Sequence, residues 1–270
     1  MNNPNVQEIL QRHGLATAKS LGQNFLRDGA VLEAIAAAAA PATRILEIGA
    51  GVGSLTGLLC RRAEQVITVE IDRKLEPLLR EEVPFENHRF IWSDILKYDF
   101  SAPEAPFTVV GNLPYYITTE ILMLLLKQLP RWDSAVLMVQ REVAERLLCG
   151  PGSKEYRAAS AIVQGLCDGE LLFEVPPHCF FPPPHVHSAV LRLTPKKDYP
   201  NPESYIRFIN TCFAARRKQL CSSAALQQLL KTDKNGLITL LEEAGFPPDI
   251  RAERFTSEDF LRIYKLCTKN

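Results

Sequence analysis

The sequence predicts an α/β protein, a doubly wound parallel sheet followed by a small all-helical C-terminal domain. Three observations carry this. Short apolar runs alternate with stretches of helical length from about residue 30 to residue 166. The first of the sheet runs ends in a glycine-rich turn, Glu47-Ile48-Gly49-Ala50-Gly51-Val52-Gly53, that opens a helix. Beyond the proline- and charge-rich residues 194–202 only helical patterns remain.

A short helix is expected over residues 6–13, followed by a loop over 18–28. Asp28 can cap the alanine-rich helix 30–40, which Pro41 terminates. Residues 44–48 read as a buried strand, 54–62 as a helix, 65–71 as a strand and 73–82 as a helix. A short strand at 90–92 leads into Ser93-Asp94, and the apolar run 107–111 ends at Asn112. Then come a helix at 119–128, a strand at 135–139 and helices at 142–148 and 158–166. A late strand at 189–193 adds to the sheet in antiparallel fashion. Helices are expected at 203–217, 222–230, 236–244 and 257–266. The domains expected are therefore residues 1–197 and 198–270, and 270 residues suffice for both.

Composition narrows the class. A hydrophobic share of 46% and a charged share of 23% are those of a globular protein with ample core material. No apolar stretch has the length of a membrane span, and the polar N-terminus lacks a secretory pattern. Seven cysteines, an odd number with no Cys-x-x-Cys pair, read as reduced thiols of a cytoplasmic protein. Net charge is zero, but residues 1–198 carry 20 Lys+Arg against 23 Asp+Glu while residues 199–270 carry 11 against 8. The small basic excess thus sits in the C-terminal part.

Four features fall at successive strand ends. The glycine turn lets a ligand lie against backbone, with helix N–H groups facing it. Its E-x-G-x-G-x-G spacing differs from a dinucleotide site. The acidic residue ahead of the turn, Glu47, favours a cationic or amine-bearing ligand over a pyrophosphate. Glu70 ends the second strand, where a carboxylate can accept both hydroxyls of a ribose. Asp94 follows the third strand and can accept from an adenine amino group. Asn112-Leu113-Pro114-Tyr115 offers an amide, a carbonyl and an aromatic ring, a socket for a flat amine-bearing base. Taken alone, the tetrapeptide reads equally as a turn, Glu70 as a surface acid and Asp94 as a helix cap. Their ordering resembles the class I S-adenosylmethionine (SAM) methyltransferases, and so implies that cofactor.

Further motifs narrow the resemblance. Leu21-Gly22-Gln23-Asn24-Phe25-Leu26, the glycine turn, Asn112–Tyr115, the stretch from Met138 to Arg146, and Phe180-Phe181-Pro182-Pro183-Pro184-His185-Val186-His187-Ser188 stand in the order of the rRNA adenine N6,N6-dimethyltransferases. Phe213-Ala214-Ala215-Arg216-Arg217-Lys218 and Arg251-Ala252-Glu253-Arg254 extend the match. With the chain length they point to the ribosomal small-subunit (KsgA-type) branch rather than the erythromycin-resistance branch. The family more often has Lys and Asp where His185 and His187 stand, and Asn where Tyr116 stands.

The resemblance implies that Asn24 and Leu26 touch SAM, that Gly49 borders its methionine part with Gly51 also in the cofactor site, and that Glu70 and Asp94 hold its ribose and adenine. Asn112 would serve both cofactor and target. The substrate implied is a pair of adjacent adenines in the 3′-terminal hairpin of small-subunit (16S) rRNA, within the assembling small subunit. The Asn112 oxygen and the Leu113 carbonyl would accept the two N6 hydrogens, and Pro114 would fix the loop. Tyr115 and Phe180 would stack on the two faces of the extruded base. Arg216, Arg217 and Lys218 would bind phosphate, although charge alone also fits a solvated helix face. His178, Cys179, His185 and His187 match no zinc spacing, so no metal is expected. No membrane partner is expected, and the chain is expected to be a monomer. Two rival readings are a large-subunit rRNA adenine dimethylase of the macrolide-resistance type and a non-catalytic assembly factor on the same fold.

Overall fold

In the computed structural model, residues 5–18, 22–101, 104–214 and 218–268 are described. Its seven-stranded sheet contains β2 (Arg44–Ile48), β3 (Gln65–Glu70), β4 (His88–Trp92), β5 (Phe107–Asn112), β6 (Trp132–Gln140), β7 (Cys167–Val175) and β9 (Ser188–Pro195), in the spatial order β4-β3-β2-β5-β6-β9-β7. A two-stranded antiparallel ladder joins β1 (Phe25–Leu26) to β8 (Phe180–Phe181).

The central strands form as they do because both sheet faces are covered. In β2, β3 and β5 nearly every residue is buried, the run of Val, Ile and Leu typical of parallel strands under helices. β2 pairs in parallel with β3 on one side and with β5 on the other. The chain therefore steps outward from β2 through β3 to β4, then returns to the opposite edge of β2 as β5. That reversal opens a crevice beyond the carboxyl ends of β2 and β5, where Ile48 and Gly111 are register partners. β9 runs antiparallel to β6, as expected from the sequence. β7, at the sheet edge, was not expected.

The helices of this part are α1 (Val6–Arg12), α2 (Gly29–Ala38), α3 (Ser54–Cys60), α4 (Glu76–Glu82), α5 (Thr118–Lys127) and α6 (Arg141–Leu148). The Asp28 side chain caps α2 by accepting from the Ala30 and Val31 N–H groups. Buried Leu32, Ile35, Leu55, Leu59, Leu78 and Leu79 bring α2, α3 and α4 onto the sheet core.

Two compact units result. One comprises residues 1–144 and 170–195, the other residues 145–169 and 196–270. The linker expected near residue 197 lies beside the cut at 195/196, but residues 145–169 group with the C-terminal helices instead of with the sheet. The reason is α7 (Ala158–Leu166), which packs on α8 (Pro202–Phe213) and α11 (Ser257–Thr268). Its Gly165 lies directly against the Tyr205 ring of α8. The Tyr156 hydroxyl donates to the Phe255 carbonyl at 3.0 Å. Phe213, Phe255 and Phe260 complete an aromatic core, while α9 (Ala224–Leu230) packs on α8 and α10 (Lys234–Glu243) on α11. α8 ends at Phe213 with Ala214 as its C-cap, and residues 215–217 of the expected helix lie outside the described residues. All seven cysteines are free thiols. Among the described residues no helix is long and apolar enough to cross a membrane.

Candidate active site

An open cleft of about 1110 Å³, mouth included, lies at the crevice beyond β2 and β5. Asn24, Leu26, Gly49, Gly51, Glu70 and Asp94 all line it, as do Asn112, Leu113, Pro114 and Tyr115. The topology brings together in space what the sequence separates.

The floor is the glycine turn. The Gly49 N–H donates to the Val69 carbonyl at 2.9 Å, tying the turn to β3. Gly49 has φ +79°, and a Cβ built there would meet nothing within 4 Å, so the backbone faces open space. Glu70 is buried and accepts from the Ala50 N–H at 2.9 Å, the Gly51 N–H at 3.3 Å and the Asp72 N–H at 2.8 Å. Burial pushes its carboxyl above the ordinary range, against the pull of these backbone donors. Acceptance of both ribose hydroxyls, expected from the sequence, needs two free positions on this carboxylate. With at least three of about four acceptor positions taken, it keeps at most one for a hydroxyl. Glu70 therefore also holds the turn in shape.

The side wall is mixed. Asp94 caps a 3₁₀ turn through Oδ1, which accepts from the Leu96 N–H at 3.0 Å, so the cap reading and the cleft position both apply. Ile71 lines the cleft together with Glu70 and Asp94 and is an apolar side chain 51% exposed. An uncovered aliphatic surface accompanied by two carboxylates fits a nucleoside, with ring below and hydroxyl or amino donors at the ends.

The socket is tightly braced. The Asn112 Nδ2–H donates to the Asn24 carbonyl at 3.0 Å, which fixes the amide orientation. The Leu113 N–H donates to the Met138 carbonyl at 3.0 Å, and its side chain is buried. Thr118 Oγ1 and the Ile117 N–H both donate to the Pro114 carbonyl, at 2.9 and 3.2 Å. Among the described residues the Leu113 carbonyl has no donor of its own. The Tyr115 hydroxyl shares a 2.6 Å hydrogen bond with Ser188 Oγ, and partial burial raises its pKa. The front loop is held by Gln23, whose Oε1 accepts from the Ala18 N–H at 2.7 Å and whose Nε2 donates to Asp72 at 2.9 Å.

Several of these supports were missed. Gln23 and Ser188 belong to motifs recognised in the sequence, yet only their neighbours were given roles. Thr118 opens α5 and carried no motif signal. Ile71 follows Glu70 directly, where its exposure is set by the end of β3.

Three expectations need correcting or lie elsewhere. Glu47 does not reach the cleft. It is fully buried, with Oε2 accepting from Thr56 Oγ1 at 2.8 Å and Thr68 Oγ1 at 2.7 Å, because strand alternation turns it away from the ligand side. Phe180 does not line the cleft either. Its ring is 1% exposed within the core, since its strand partner is buried Leu26. Such a ring has no free face for a base. Arg216 and Arg217 lie outside the described residues, and Lys218 is an exposed residue in a bend. Among the described residues, the potential metal-ligand group is His13, Glu81 and Glu82, remote in sequence from the histidines weighed above. Arg12 already pairs with both acids there.

Comparison with known proteins agrees with this geometry. The sequence profile of the ribosomal RNA adenine dimethylase family matches residues 14–269. The chain belongs to the ribosomal RNA adenine dimethylase family. A "Ribosomal RNA small subunit methyltransferase A" of Lachnoclostridium phytofermentans is 39% identical over 95% of this chain and 93% of the relative. The protein of the same name from Levilactobacillus brevis is 40% identical over 94% and 91%. Among solved structures, a dimethyladenosine transferase from Plasmodium falciparum superposes with a TM-score of 0.80 at 27% identity, covering 91% of this chain and 98% of that one. The 23S rRNA methyltransferase ErmE gives 0.68 at 27% identity, covering 91% and 100%. The fold is that of the class I SAM-dependent methyltransferases.

Proposed function

We propose that this protein transfers methyl groups from SAM to N6 of two adjacent adenines in the 3′-terminal hairpin of small-subunit (16S) rRNA during ribosome assembly. The small-subunit assignment is supported by the names of relatives that align over nearly the whole chain. The cleft has the donor and acceptor set that SAM needs. Gly49 and Gly51 would border its methionine part, with Asn24 and Leu26 in front. Glu70 would accept from the ribose, Asp94 from the adenine amino group, and Ile71 would lie under the ring. When bound, SAM supplies a methyl group on a positively charged sulfur, a strong electrophile.

The observation that carries the reading is the Asn112 amide. Its Nδ2 is committed to the Asn24 carbonyl, so Oδ1 is the atom left to accept a hydrogen from the target amine. The Leu113 carbonyl, fixed by a buried side chain and by the bonded peptide on either side, accepts the second. An adenine amine is weakly nucleophilic because its lone pair is delocalised into the ring. Two acceptors on its hydrogens pull the nitrogen toward tetrahedral geometry and hold it in line for attack. Neutral Asn serves here, since a carboxylate would favour a protonated amine with no lone pair. Tyr115, pinned by Ser188, offers one face of its ring to the extruded base.

Asn112→Ala tests this directly. At saturating SAM, kcat should fall about 10²- to 10³-fold, the effect typical of removing one preorganised hydrogen-bonding group. Near-normal turnover with SAM bound would refute the assignment. We further propose that Arg216, Arg217 and Lys218 bind rRNA phosphates, and that the protein acts as a cytoplasmic monomer.

A further inference from the structure

We infer that Tyr116 is a stacking platform for the nucleotide beside the target. While one adenine of the pair occupies the Asn112–Tyr115 socket, the other lies on the Tyr116 ring. The inference rests on the function proposed above and adds a second base subsite to it.

Among the described residues three aromatic side chains line the cleft: Phe25, Tyr115 and Tyr116. Phe25 is buried, and Tyr115 is half-buried with its hydroxyl on Ser188. Tyr116 is 55% exposed, and no hydrogen bond among the described residues uses its hydroxyl. A large ring left open at the lip of an RNA-modifying cleft has no packing role that explains its exposure. Single-stranded RNA is bound by stacking splayed bases on such rings.

Local geometry separates the two tyrosines. They are consecutive in the 3₁₀ turn Tyr115–Ile117. With three residues per turn, successive side chains diverge by about 120°. The rings therefore cannot close as parallel plates on one base. Each serves its own. The Tyr116 ring lies beside Gly22 of the front loop, where an added Cβ would come 3.3 Å from it. Because the two target adenines are neighbours, the base on Tyr116 is the one that is not reacting.

The test is methyl transfer from SAM to unmethylated small ribosomal subunits by the wild type, Y116A and Y116F. Two substrates are compared: the native adenine pair, and subunits reconstituted with the non-reacting adenine changed to uracil. On native subunits Y116A should raise KM for the subunit roughly five- to hundredfold, the range for losing one base stack. SAM affinity should be unchanged, and Y116F should restore KM. With uracil, a poorer stacking partner, the gap between the wild type and Y116A should shrink. An unchanged KM in Y116A, or an equal loss of SAM affinity, would overturn the inference while leaving the proposed function intact. No transfer by the wild type would overturn both.

Discussion

Replacing Glu47 by Gln should change how stability depends on pH. Glu47 lies within the sheet, bonded through Oε2 to Thr56 of α3 and Thr68 of β3, while its buried Oε1 has no hydrogen-bond partner. Burial pushes its carboxyl from an ordinary 4.5 up to about 7, with nearby Glu70 adding to the rise against the two threonine hydroxyls. The fold thus prefers protonated Glu47. Its contribution is fully present below pH 4.5 and is lost as pH rises through about 7, a total of about 3 kcal/mol. His88, bonded to the same Thr68 hydroxyl at 2.9 Å, runs the opposite way. Burial lowers it to about 4, so its contribution is present above its ordinary 6.5 and is lost as pH falls through 4. Because His88 is partly exposed, solvent screens its effect and Glu47 dominates.

Glu47→Gln removes the titration and keeps an oxygen for both threonines. The new amide has no acceptor where Oε1 stood, at a cost of about 1–2 kcal/mol at every pH. The difference in unfolding free energy, variant minus wild type, should therefore rise by about 2.5 kcal/mol between pH 5 and pH 8. Urea unfolding at four pH values across this range measures it. A difference that stays flat to within about 0.5 kcal/mol would refute the reasoning, because the amide's fixed cost cancels from the comparison.

Other substitutions probe the socket and the proposed phosphate-binding residues. Gly111→Ala would place a Cβ 2.9 Å from the Ile48 carbonyl oxygen and 3.1 Å from Ile48 Cβ, between paired strands that cannot part. It should destabilise by about 1–3 kcal/mol in thermal melts, and an unchanged melting temperature would contradict this account of the β2–β5 contact. Thr118→Val removes one of the two donors to the Pro114 carbonyl and should lower kcat several-fold with little change in SAM affinity; a wild-type kcat would show that this brace is dispensable. Arg216→Glu with Arg217→Glu should weaken binding to the small subunit and leave SAM affinity unchanged. Equal loss of both would point to misfolding instead.

The strand ends that build the cleft were legible because β2, β3 and β5 are buried on both faces and read as continuous apolar runs. The charged or amide residue ending such a run is conspicuous. Side-chain direction was harder to read. Glu47 sits one residue from Ile48, which lines the cleft, and period-two alternation alone would have turned it inward. Phe180 belongs to a two-residue strand, too short to show which face is buried. β7 escaped notice because most of its residues, Asp168 to Glu174, are exposed or half-exposed on the sheet edge. Glu70 had the right place but an unforeseen second task, since backbone donors from a turn many residues away leave no mark on the sequence. Likewise α7 precedes the last two sheet strands in the chain yet packs with the C-terminal helices, an association made by Gly165 and Tyr205 rather than by chain order.

The decisive assay is label transfer from SAM to unmethylated small subunits and, separately, to large-subunit RNA, with the modified base identified. N6,N6-dimethyladenosine is expected at two adjacent positions of the 3′-terminal hairpin of small-subunit rRNA, with no label in large-subunit RNA. Label confined to large-subunit RNA, or absent from both, would contradict the proposed function.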